Sequence, residues 1–539
     1  MDSQFKEEFE IEKPEVRKRQ RRKKRPCKPV FKKYDQNQIM LIPQNLDEMI
    51  PSNHVVRVVN KTIDRLNIEK LINTYKGGGN SAYNPIMLIK VLVYAYMMKI
   101  YSCRNIAKAL REDINFMWLS GQNKPDFRTI NLFRSGRLKR VIEEVFSSMI
   151  IFLSEGKYIK LERYFVDGTN IAADANKNSY VWSKNTKRYK QSVKEKVKEL
   201  FKQIEKIQNK EDEQYGNHDL EEMGEESEIT SDKIIKQIER LNKIIEEKTE
   251  PGKDKEQKKA VKQIKTKYLP KIIRYEEQEK KLNGRNSYSK TDEEATFLRM
   301  KNKELLPAYT VMIGTEGQYI INASIHQKAS ETDHFIDHME KFRQAMGRYP
   351  LLVSSDSAYG SQENYNYLER AKIENYLKYN TFHYEQTTRY KQNKFHKDNF
   401  KYDEQKDEYE CPGKKKLRYE KDVISETSKG YIQKAKQYKS ESCEGCRLAR
   451  YCKKGKGTRT IQVNKQLEYY RSQARKNLTS EKGIEIRKQR NVDVEPVFGD
   501  IKWNSGYRRF RLRGKEKVYT EICLLSIAHN CKKIALAIN

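Results

Sequence analysis

The stretch YFVDGTNIAADANKNSYVW, residues 164–182, decides the fold that the sequence predicts. Its apolar start, Tyr164 to Val166, is typical of a buried strand. We expect this strand to stop at Asp167, a carboxylate that is followed by Gly168. An Asp-Gly pair after a strand is also an ordinary turn, so this acid alone does not identify a site.

Two further acids occupy comparable places in the sequence. Residues 350–371, PLLVSSDSAYGSQENYNYLERA, predict a short strand, then Asp356, a turn and a helix. Residues 308–327 alternate with period 2 around a Thr-Glu-Gly turn and predict a hairpin, and residues 375–380 predict one more strand. The third acid, Glu495, falls in a helical segment.

The order of these elements predicts an α/β RNase H-like catalytic core. With residues 184–285 and 383–460 set aside as insertions, the chain reads strand with Asp167, two strands, helix, strand with Asp356, helix, strand, and helix with Glu495. Acids at the strand ends of such a sheet lie side by side at one edge. Clustered carboxylates repel one another unless a metal neutralises them, so the pattern predicts a cation site. Two divalent ions there would stabilise the attacking and leaving oxygens of a phosphoryl transfer.

The charge of the chain favours a polyanionic partner. Its 539 residues suffice for two to four domains, and 109 Lys and Arg against 75 Asp and Glu give a net charge of +34. Nucleic acid is the first candidate partner and an anionic membrane surface is the second. The alternative is that the Lys-rich surfaces are merely solvated and bind no polyanion. Residues 16–33 contain eleven Lys or Arg and no acid, so we interpret residues 1–33 as a disordered tail that contacts phosphate.

Nothing in the sequence predicts secretion or a membrane span. No signal peptide is recognisable, and the most apolar stretch, residues 85–101, contains Lys90 and Lys99 and is shorter than a span requires. We therefore expect a soluble cytoplasmic protein, associated with the nucleoid and with no membrane partner. Eight Cys in 539 residues do not form a disulfide scaffold.

Residues 34–150 predict a helical N-terminal DNA-binding domain. Residues 85–101 form a strong apolar helix that opens at a proline, as suits a first turn. Residues 102–121 predict two short helices, which resemble a helix-turn-helix, although short paired helices are common. Residues 125–134 add a helix on which we expect Arg128 and Arg134 to face outward.

Residues 184–285 predict a helical coiled-coil insertion. Apolar residues recur at alternating steps of four and three along two segments, with an acidic Gly-containing stretch, residues 211–228, expected as a loop between them. The insertion would clamp DNA, pair two subunits, or serve as a solvated spacer. The heptad positions are Val193, Val197, Leu200, Ile204 and Ile207, then Ile234, Ile238, Leu241 and Ile245.

Residues 383–460 predict a zinc-binding insertion. Cys443 and Cys446 form a knuckle, Cys452 adds a third thiol, and Cys411 stands alone as a fourth. Four thiolates suit a tetrahedral structural Zn²⁺, and four free thiols are the alternative.

Two histidines on one predicted helix are the other candidate ligands in the sequence. His334 and His338 lie one turn apart and could share a metal, but an exposed helix face is the favoured interpretation.

Four motifs together resemble those of a known family. They are VDGTNIAADANKNSYVW, residues 166–182, SKTDEEATFLRMK, residues 289–301, SSDSAYGSQENY, residues 354–365, and NVDVEPVFGDIKWNSGYRRFRLRG, residues 491–514. The chain resembles the DDE transposases of bacterial insertion sequences, and its N-terminal helices look like the N-terminal domain of that family. The resemblance covers nearly everything from residue 34 to residue 539.

The resemblance implies roles for individual residues. It implies that Asp167, Asp356 and Glu495 are a triad that binds two Mg²⁺ (or Mn²⁺) ions, and that the enzyme cuts and rejoins element ends. Many relatives carry a Lys seven residues after the catalytic Glu, and Lys502 fits that position. Seven residues make two helical turns, so Lys502 would lie on the Glu495 face and hold a DNA phosphate. The Tyr and Arg that such relatives place before the Glu are replaced by Lys488 and Asn491, with Arg487 and Arg490 nearby.

A basic segment after the third acid predicts further DNA contact. Arginines alternate there with Tyr507, Phe510 and Leu512, and both kinds of side chain could reach phosphates or stacked bases. A basic surface loop is the alternative. The arginines are Arg508, Arg509, Arg511 and Arg513.

The predicted function is that of a transposase, which cleaves DNA at element ends and transfers the 3′-hydroxyl into target DNA. Its partners would be double-stranded DNA, as terminal inverted repeats and as target, and a second copy in a homodimer that synapses two ends. A catalytically inactive, domesticated DNA-binding protein of the same fold is the alternative. An aspartyl-phosphate phosphatase would require Asp where Phe165 stands, and a coiled-coil scaffold explains only residues 184–285.

The sequence predicts six parts along the chain. A basic tail (1–33) and a helical N-terminal domain (34–150) come first. The first part of the core follows (157–182 and 286–382) and contains the coiled-coil insertion (184–285). A Cys-rich insertion (383–460) and the C-terminal core helices with Glu495 (470–539) complete the chain.

Overall fold

The computed structural model describes residues 45–75, 82–215, 230–247, 255–453, 455 and 457–538. Side chains are described for these residues except 207–215 and 244–247. The predicted basic tail, residues 1–33, lies outside these ranges. The described residues form two compact units, of which the first comprises those within 1–169, 310–512 and 516–539, and the second those within 170–309 and 513–515.

The first unit begins with a bundle of short helices. The apolar α3 opens at Pro85, where a missing N–H costs nothing, and Asn84 caps it by accepting from two backbone N–H groups. The predicted break between two short helices is confirmed at Asp113, which caps α5. The helices are α1 (Val55–Asp64), α2 (Glu69–Ile72), α3 (Pro85–Met97), α4 (Cys103–Glu112), α5 (Ile114–Leu119), α6 (Phe127–Leu132) and α7 (Ile142–Glu155).

One arginine of this region lies inside the unit and not on its surface. The prediction that Arg134 faces outward is wrong, because its side chain is buried and its guanidinium donates to the Tyr96 hydroxyl over 2.9 Å. Arg134 also lies 3.6 Å from the carboxylate of Glu521 in the C-terminal helix α19 (Lys515–Ile538). A buried arginine requires such an acidic partner, and this one joins the segment after α6 to the last helix of the unit.

A mixed sheet follows the helices, in the spatial order β4-β5-β1-β7-β8, with β6 paired to β5. Strand β1 pairs in parallel with β7, and β7 in parallel with β8, whereas β5 is antiparallel to β4 and β6. The expected end of β1 at Asp167 is wrong, since the strand continues to Ala172. The strands are β1 (Arg163–Ala172), β4 (Thr296–Arg299), β5 (Leu305–Glu316), β6 (Tyr319–His326), β7 (Leu352–Ser355) and β8 (Glu374–Leu377).

A single buried carboxylate fixes the start of β1. Glu316, at the end of β5, accepts from the backbone N–H groups of four consecutive residues, 160–163, at 2.6–3.2 Å. Charge-assisted bonds of this kind are stronger than neutral ones, so they hold the chain where it enters the strand that carries Asp167.

Helices cover the sheet, and α18 (Glu481–Gly499) carries Glu495. Asp493 on this helix is buried and accepts from the N–H groups of Gly317 and Gln318, at 2.8 and 3.0 Å, in the turn between β5 and β6. This contact fixes the last turns of α18 against the sheet. The other helices of this region are α12 (Phe335–Met346), α13 (Gln362–Arg370), α14 (Phe382–Glu385), α15 (Thr388–Lys391) and α17 (Lys465–Thr479).

The Cys-bearing segment forms a second sheet within the first unit. Its five antiparallel strands stand in the order β13-β12-β11-β10-β9, and Leu417, Tyr438, Ile461 and Val463 make up much of its small core. The elements are β9 (Lys401–Asp403), β10 (Glu408–Glu410), β11 (Lys416–Glu426), β12 (Ile432–Ser440), α16 (Ala449–Cys452) and β13 (Thr460–Val463).

The second unit contains the predicted helical insertion. Six of the nine heptad positions are buried in one hydrophobic cluster, Leu200 packs against it, and the side chains of Ile207 and Ile245 lie outside the described set. Helix α8 continues to Tyr215, so the start of the predicted loop is helical, while residues 216–228 lie outside the described ranges. The coiled coil itself stays a prediction. The elements are β2 (Tyr180–Trp182), α8 (Ser183–Tyr215), α9 (Ser231–Glu247), α10 (Lys255–Gln263), α11 (Leu269–Leu282) and β3 (Ser287–Ser289).

Candidate active site

Asp167 and Asp356 meet where the parallel pairing of β1 with β7 ends, a place here called the edge of the sheet. Strands β1 and β7 are parallel neighbours with Phe165 opposite Ser354, and each acid follows its paired residue by two positions. The side chain of Asp356 caps the short 3-10 turn after β7, accepting from the N–H of Ala358 over 2.9 Å. The predicted juxtaposition of these two acids is therefore present.

Glu495 reaches this edge through an arginine. The guanidinium of Arg490 lies 3.7 Å from Asp167 Oδ2 by one nitrogen and 3.7 Å from Glu495 Oε1 by another. The side chain of Arg490 is 5% exposed, that of Asp167 21% and that of Glu495 59%. One buried cation thus connects the first and third acids of the predicted triad.

Arg490 is a site residue that the sequence analysis missed. The family pattern directed attention to Asn491, four residues before Glu495, whereas the arginine that contacts the acids lies five residues before it. The available signal was the pair of arginines, Arg487 and Arg490, beside the expected position. Burial decides between them, since Arg490 is buried and Arg487 is half-buried, with its guanidinium over the ring of Phe382.

A lysine adds positive charge beside the acids. Burial lowers the pKa of Lys378, and the nearby Arg490 and Arg487 lower it further, while Asp356 and Glu495 act in the opposite direction. The edge of the sheet therefore holds carboxylates and cations side by side. Such a mixture suits a site that receives a phosphate, because the cations offset the charge of the incoming group.

Lys502 points to β1 and not into solvent. Its ammonium group donates to the hydroxyl of Thr169, which is buried and lies two residues after Asp167. Residues two apart in a strand share a face, so Lys502 is held on the face that carries Asp167. It belongs to a short π-helical segment, Asp500–Asn504, that follows α18.

The basic segment after Lys502 differs from the prediction. Tyr507, Phe510 and Leu512 are buried, so these three cannot stack on bases as expected. The exposed aromatic residue is instead Trp503, 71% exposed, with the guanidinium of Arg508 over its ring at 4.2 Å.

The other arginines of this segment have varied surroundings. Arg509 is exposed, and the backbone N–H of Arg511 donates to the buried Glu521. In the second unit, Arg513 forms an ion pair with Asp174 at 2.9 Å. That contact gives a partner to Asp174, for which the sequence indicated no role.

The four predicted zinc ligands lie near one another, but their arrangement does not support zinc. Burial raises the pKa of Cys452, and the thiols of Cys411, Cys443 and Cys446 raise it further. Nevertheless, within the ranges that the structure describes, no group of three or more His, Cys, Asp or Glu side chains is arranged to hold a metal ion. The zinc prediction therefore has no support.

The lack of such a metal-holding group among the described residues also concerns the acids at the sheet edge. Hard carboxylate oxygens fit Mg²⁺ or Mn²⁺ by their chemistry, and Asp167 and Asp356 come from adjacent strands. Glu495, however, is engaged by Arg490, so the described side chains do not converge on one ion. The three carboxylates therefore fit a divalent cation by the chemistry of their oxygen atoms.

The two histidines on α12 are buried, so the expected exposed face is wrong. His338 is fully buried, and its ring nitrogens lie 2.7 Å from the hydroxyls of Tyr164 and Ser324. Burial lowers the pKa of His338 to about 3, so the ring is neutral. His334 stacks on the ring of His326 at 4.0 Å. These rings belong to a polar network inside the core.

Comparison with known proteins gives two family matches. The model described as Transposase domain (DUF772) matches residues 44–136, and the model described as Transposase DDE domain matches residues 410–535. No curated protein and no solved structure matches the chain.

These matches indicate the class of protein that the chain resembles. Both describe transposases, one N-terminal and one C-terminal, which is consistent with a DDE transposase of insertion sequences. The resemblance inferred from the motifs is therefore confirmed. A helical N-terminal region followed by a mixed α/β sheet is likewise consistent with a DDE transposase core. Glu495 falls within the matched region, whereas Asp167 and Asp356 precede it.

The described part of the chain contains no candidate for a membrane-spanning helix. None of its helices is both long and apolar enough to cross a bilayer.

Proposed function

We propose that this protein cleaves DNA strands at the ends of an insertion sequence and transfers the freed 3′-hydroxyl into target DNA. The observation that carries the proposal is the meeting of Asp167 and Asp356 just beyond the paired residues of two parallel strands, with Glu495 joined to Asp167 through Arg490. The family matches to transposases support the substrate class.

The carboxylates of Asp167, Asp356 and Glu495 would hold Mg²⁺ or Mn²⁺, two ions by analogy with the family. Such ions supply activation of the attacking oxygen and stabilisation of the leaving oxygen. The protein's own groups do the positioning. Lys502, fixed near β1 by Thr169, would bind a phosphate next to the scissile bond, and Lys378 would offset its charge.

The proposed partner is double-stranded DNA, first as terminal inverted repeats and then as target. A net charge of +34 supports binding to a polyanion, and the exposed Arg508 and Arg509 follow Lys502 closely in the sequence. A homodimer is the proposed active form, because two element ends must be held together for strand transfer.

Nicking of supercoiled DNA in the presence of Mg²⁺ tests this function. Wild type should nick, and Asp167→Asn, Asp356→Asn and Glu495→Gln should each lose on the order of a hundredfold or more in rate, because each removes a charge from the proposed ion site. Asp337→Asn is the matched control, since Asp337 is exposed on α12 and pairs with Lys429.

Two results would contradict the proposal. Equal nicking by wild type and the three variants would show that the acids have no part in cleavage. A wild type that binds DNA but nicks it under no metal condition would instead indicate an inactive DNA-binding protein.

A further inference from the structure

A tryptophan next to Lys502 lies open on the surface. Trp503 is 71% exposed, more than any other large apolar side chain among the described residues, whereas Trp118 and Trp182 are half-buried. Water is a poor solvent for so large a ring, and tryptophan is enriched where proteins contact partners. The ring of Trp503 therefore suits contact with a ligand.

The segment that carries Trp503 is fixed on both sides of it. Before the ring, the carboxylate of Asp500 lies 3.2 Å from a ring nitrogen of His529 on α19. After the ring, the carbonyl of Ser505 accepts from the Tyr101 hydroxyl over 2.7 Å. A ring on a segment held in this way is a rigid platform, which loses little conformational freedom when a partner binds.

The ring also lies next to the proposed phosphate contact. Lys502 is held at Thr169, two residues after Asp167 on the same face of β1. Consecutive residues of a helix diverge by roughly a quarter turn, so the Trp503 ring points to one side of the Lys502 ammonium group. A nucleotide is arranged in the same way, because its base projects to one side of the phosphate backbone.

An arginine covers one face of the ring and leaves the rest open. The guanidinium of Arg508 lies over the Trp503 ring at 4.2 Å, and its Nε donates to the carbonyl of Lys502 over 3.3 Å. Most of the residue's surface is nevertheless exposed, so the other face of the ring is accessible. Positive charge beside an open aromatic face is the combination that binds single-stranded nucleic acid, since phosphates contact the cations and bases stack on the ring.

We propose that Trp503 stacks on an unpaired DNA base next to the phosphate that Lys502 binds, and so positions the strand at the acids. The inference rests on the proposed function, which makes DNA the substrate. Bases inside an intact duplex are already stacked on their neighbours, so the ring requires a strand end or another place where pairing has opened. Trp503 is therefore a positioning residue that detects an opened strand and not its sequence, because every base has a stacking face.

Binding of two single-stranded oligomers to the full-length protein, without divalent metal and at one salt concentration, tests this inference. One oligomer is a labelled oligothymidylate, and the other is an abasic oligomer of equal length, which keeps the phosphates and lacks the bases. Trp503→Ala should weaken binding of the oligothymidylate by about fivefold or more, because a stacked base is lost. Its binding of the abasic oligomer should stay within about twofold of wild type, because the phosphate contacts remain.

Two further variants serve as controls. Trp503→Phe keeps an aromatic ring and should lose less affinity for the oligothymidylate than Trp503→Ala. Tyr451→Ala is the matched control, since Tyr451 is 59% exposed and has the guanidinium of Arg450 over its ring at 4.5 Å, but lies on α16 in the Cys-bearing segment. It should bind both oligomers like wild type. An equal loss in Tyr451→Ala and Trp503→Ala would refute a specific role for Trp503.

The two oligomers also separate stacking from a supporting role. If the Trp503 ring only holds Arg508 against a phosphate, Trp503→Ala should weaken binding of both oligomers alike, because phosphates are common to both. That result would overturn the inference. Selective loss of the oligothymidylate supports it.

Tryptophan fluorescence gives a second readout that requires only the conservative variant. Oligothymidylate should quench the emission of wild type, and the abasic oligomer should not, because quenching needs a base on the ring. Trp503→Phe retains Trp118 and Trp182, and its emission should respond to neither oligomer. The same quenching in wild type and Trp503→Phe would count against the stacked base.

The outcomes distinguish this inference from the proposed function. If wild type nicks supercoiled DNA, the acid variants do not, and Trp503→Ala binds both oligomers like wild type, the inference fails and the transposase proposal stands. If Trp503→Ala loses only the oligothymidylate, while wild type nicks DNA under no metal condition, the proposed cleavage fails and the contact with an unpaired base stands.

Discussion

Arg490 shows how a single side chain organises the acids. Its planar guanidinium contacts two carboxylates at once, and it does so from a buried position. A fork of this shape cannot be replaced by an ammonium group, which concentrates its charge at one point. Arg490 therefore holds Asp167 and Glu495 in a fixed relation to each other.

We expect Arg490→Lys to lower the nicking rate by about tenfold or more while the protein remains folded, because Lys can satisfy one carboxylate but not both. Nicking of supercoiled DNA over a range of Mg²⁺ concentrations measures the effect, with circular dichroism as the check on folding. Arg487→Lys, three residues earlier on α18, is the control, since Arg487 lies over the Phe382 ring and forms no such bridge. Wild-type nicking by Arg490→Lys would contradict a bridging role.

At this scale, local contacts could be predicted and distant ones could not. Asp356 follows a strand and caps the next turn, and both features depend on neighbouring residues, so the sequence pattern indicates them. Glu331 packs against Gly168, which is far away in the sequence, and no periodicity connects the two. The burial of Arg134 also went unpredicted, because its partner Glu521 belongs to the last helix.

Helix α18 is positioned by its neighbours and not by its own sequence alone. Pro496 lies inside it and provides no N–H for the carbonyl of Val492, four residues earlier. That carbonyl accepts instead from the side-chain amide of Gln318 over 2.8 Å. Together with the bonds to Asp493, this contact attaches the end of α18 that carries Glu495 to the β5–β6 turn.

We expect Asp493→Asn to lower the free energy of unfolding by about 1–3 kcal/mol, because an amide can accept only one of the two backbone bonds and sets an N–H against the other. Urea denaturation measures this loss. Glu485→Gln, on the same helix but 67% exposed, should cost less than about 1 kcal/mol. Equal stability of Asp493→Asn and wild type would show that the contact does not hold the helix.

Asp500, directly after α18, makes the stability of the protein sensitive to acid. His529 and Lys532 on α19 lie 3.2 and 2.7 Å from the carboxylate of Asp500, and these partners, His529 first, hold the pKa of Asp500 well below its usual range. A carboxyl group whose folded pKa is lowered adds stability above its unfolded pKa, and that stability is lost as the pH falls through the folded pKa.

We therefore expect the free energy of unfolding to decrease as the pH falls below about 5. Asp500→Asn should lose roughly 2 kcal/mol at neutral pH and should show a shallower acid dependence, since part of the titrating contribution is absent. Urea denaturation over a series of pH values compares the two proteins. Parallel pH profiles would show that Asp500 is not the responsible group.

Most strands and helices of the core follow the predicted order, because each has its own periodicity and its own turn residues, but strand β4 (Thr296–Arg299) of the sheet was not predicted. The long hairpin β5–β6, the strand–turn–helix at Asp356 and the final helix are all present. The full length of β1 could not be predicted, since Gly and Asn within Arg163–Ala172 indicate a turn locally. Pairing with neighbouring strands overrides that local preference.

At the scale of the molecule, the excess of positive charge predicts a strong salt dependence of DNA binding. Each phosphate contact adds about 0.9 to the slope of log affinity against log salt. Deletion of residues 1–33 should lower that slope by several units, because eleven of the removed residues between 16 and 33 are Lys or Arg. Fluorescence anisotropy of labelled DNA at several salt concentrations measures this slope for the intact and the shortened protein.

The control for this deletion is a protein in which residues 1–33 are replaced by an uncharged Gly/Ser segment of equal length. It should behave like the deletion, since charge and not length determines the slope. If the deleted and intact proteins share one slope, the tail makes no phosphate contact, and the affinity for DNA comes from the folded units.

The bond between Tyr96 and Glu521 joins positions 425 residues apart, with Arg134 beside them. During synthesis the first helices leave the ribosome long before their acidic counterpart exists, so a nascent or prematurely terminated chain contains an arginine without its acid. Copies truncated by a stop codon should therefore yield unstable N-terminal fragments that are readily degraded. Such fragments would not persist beside the intact protein.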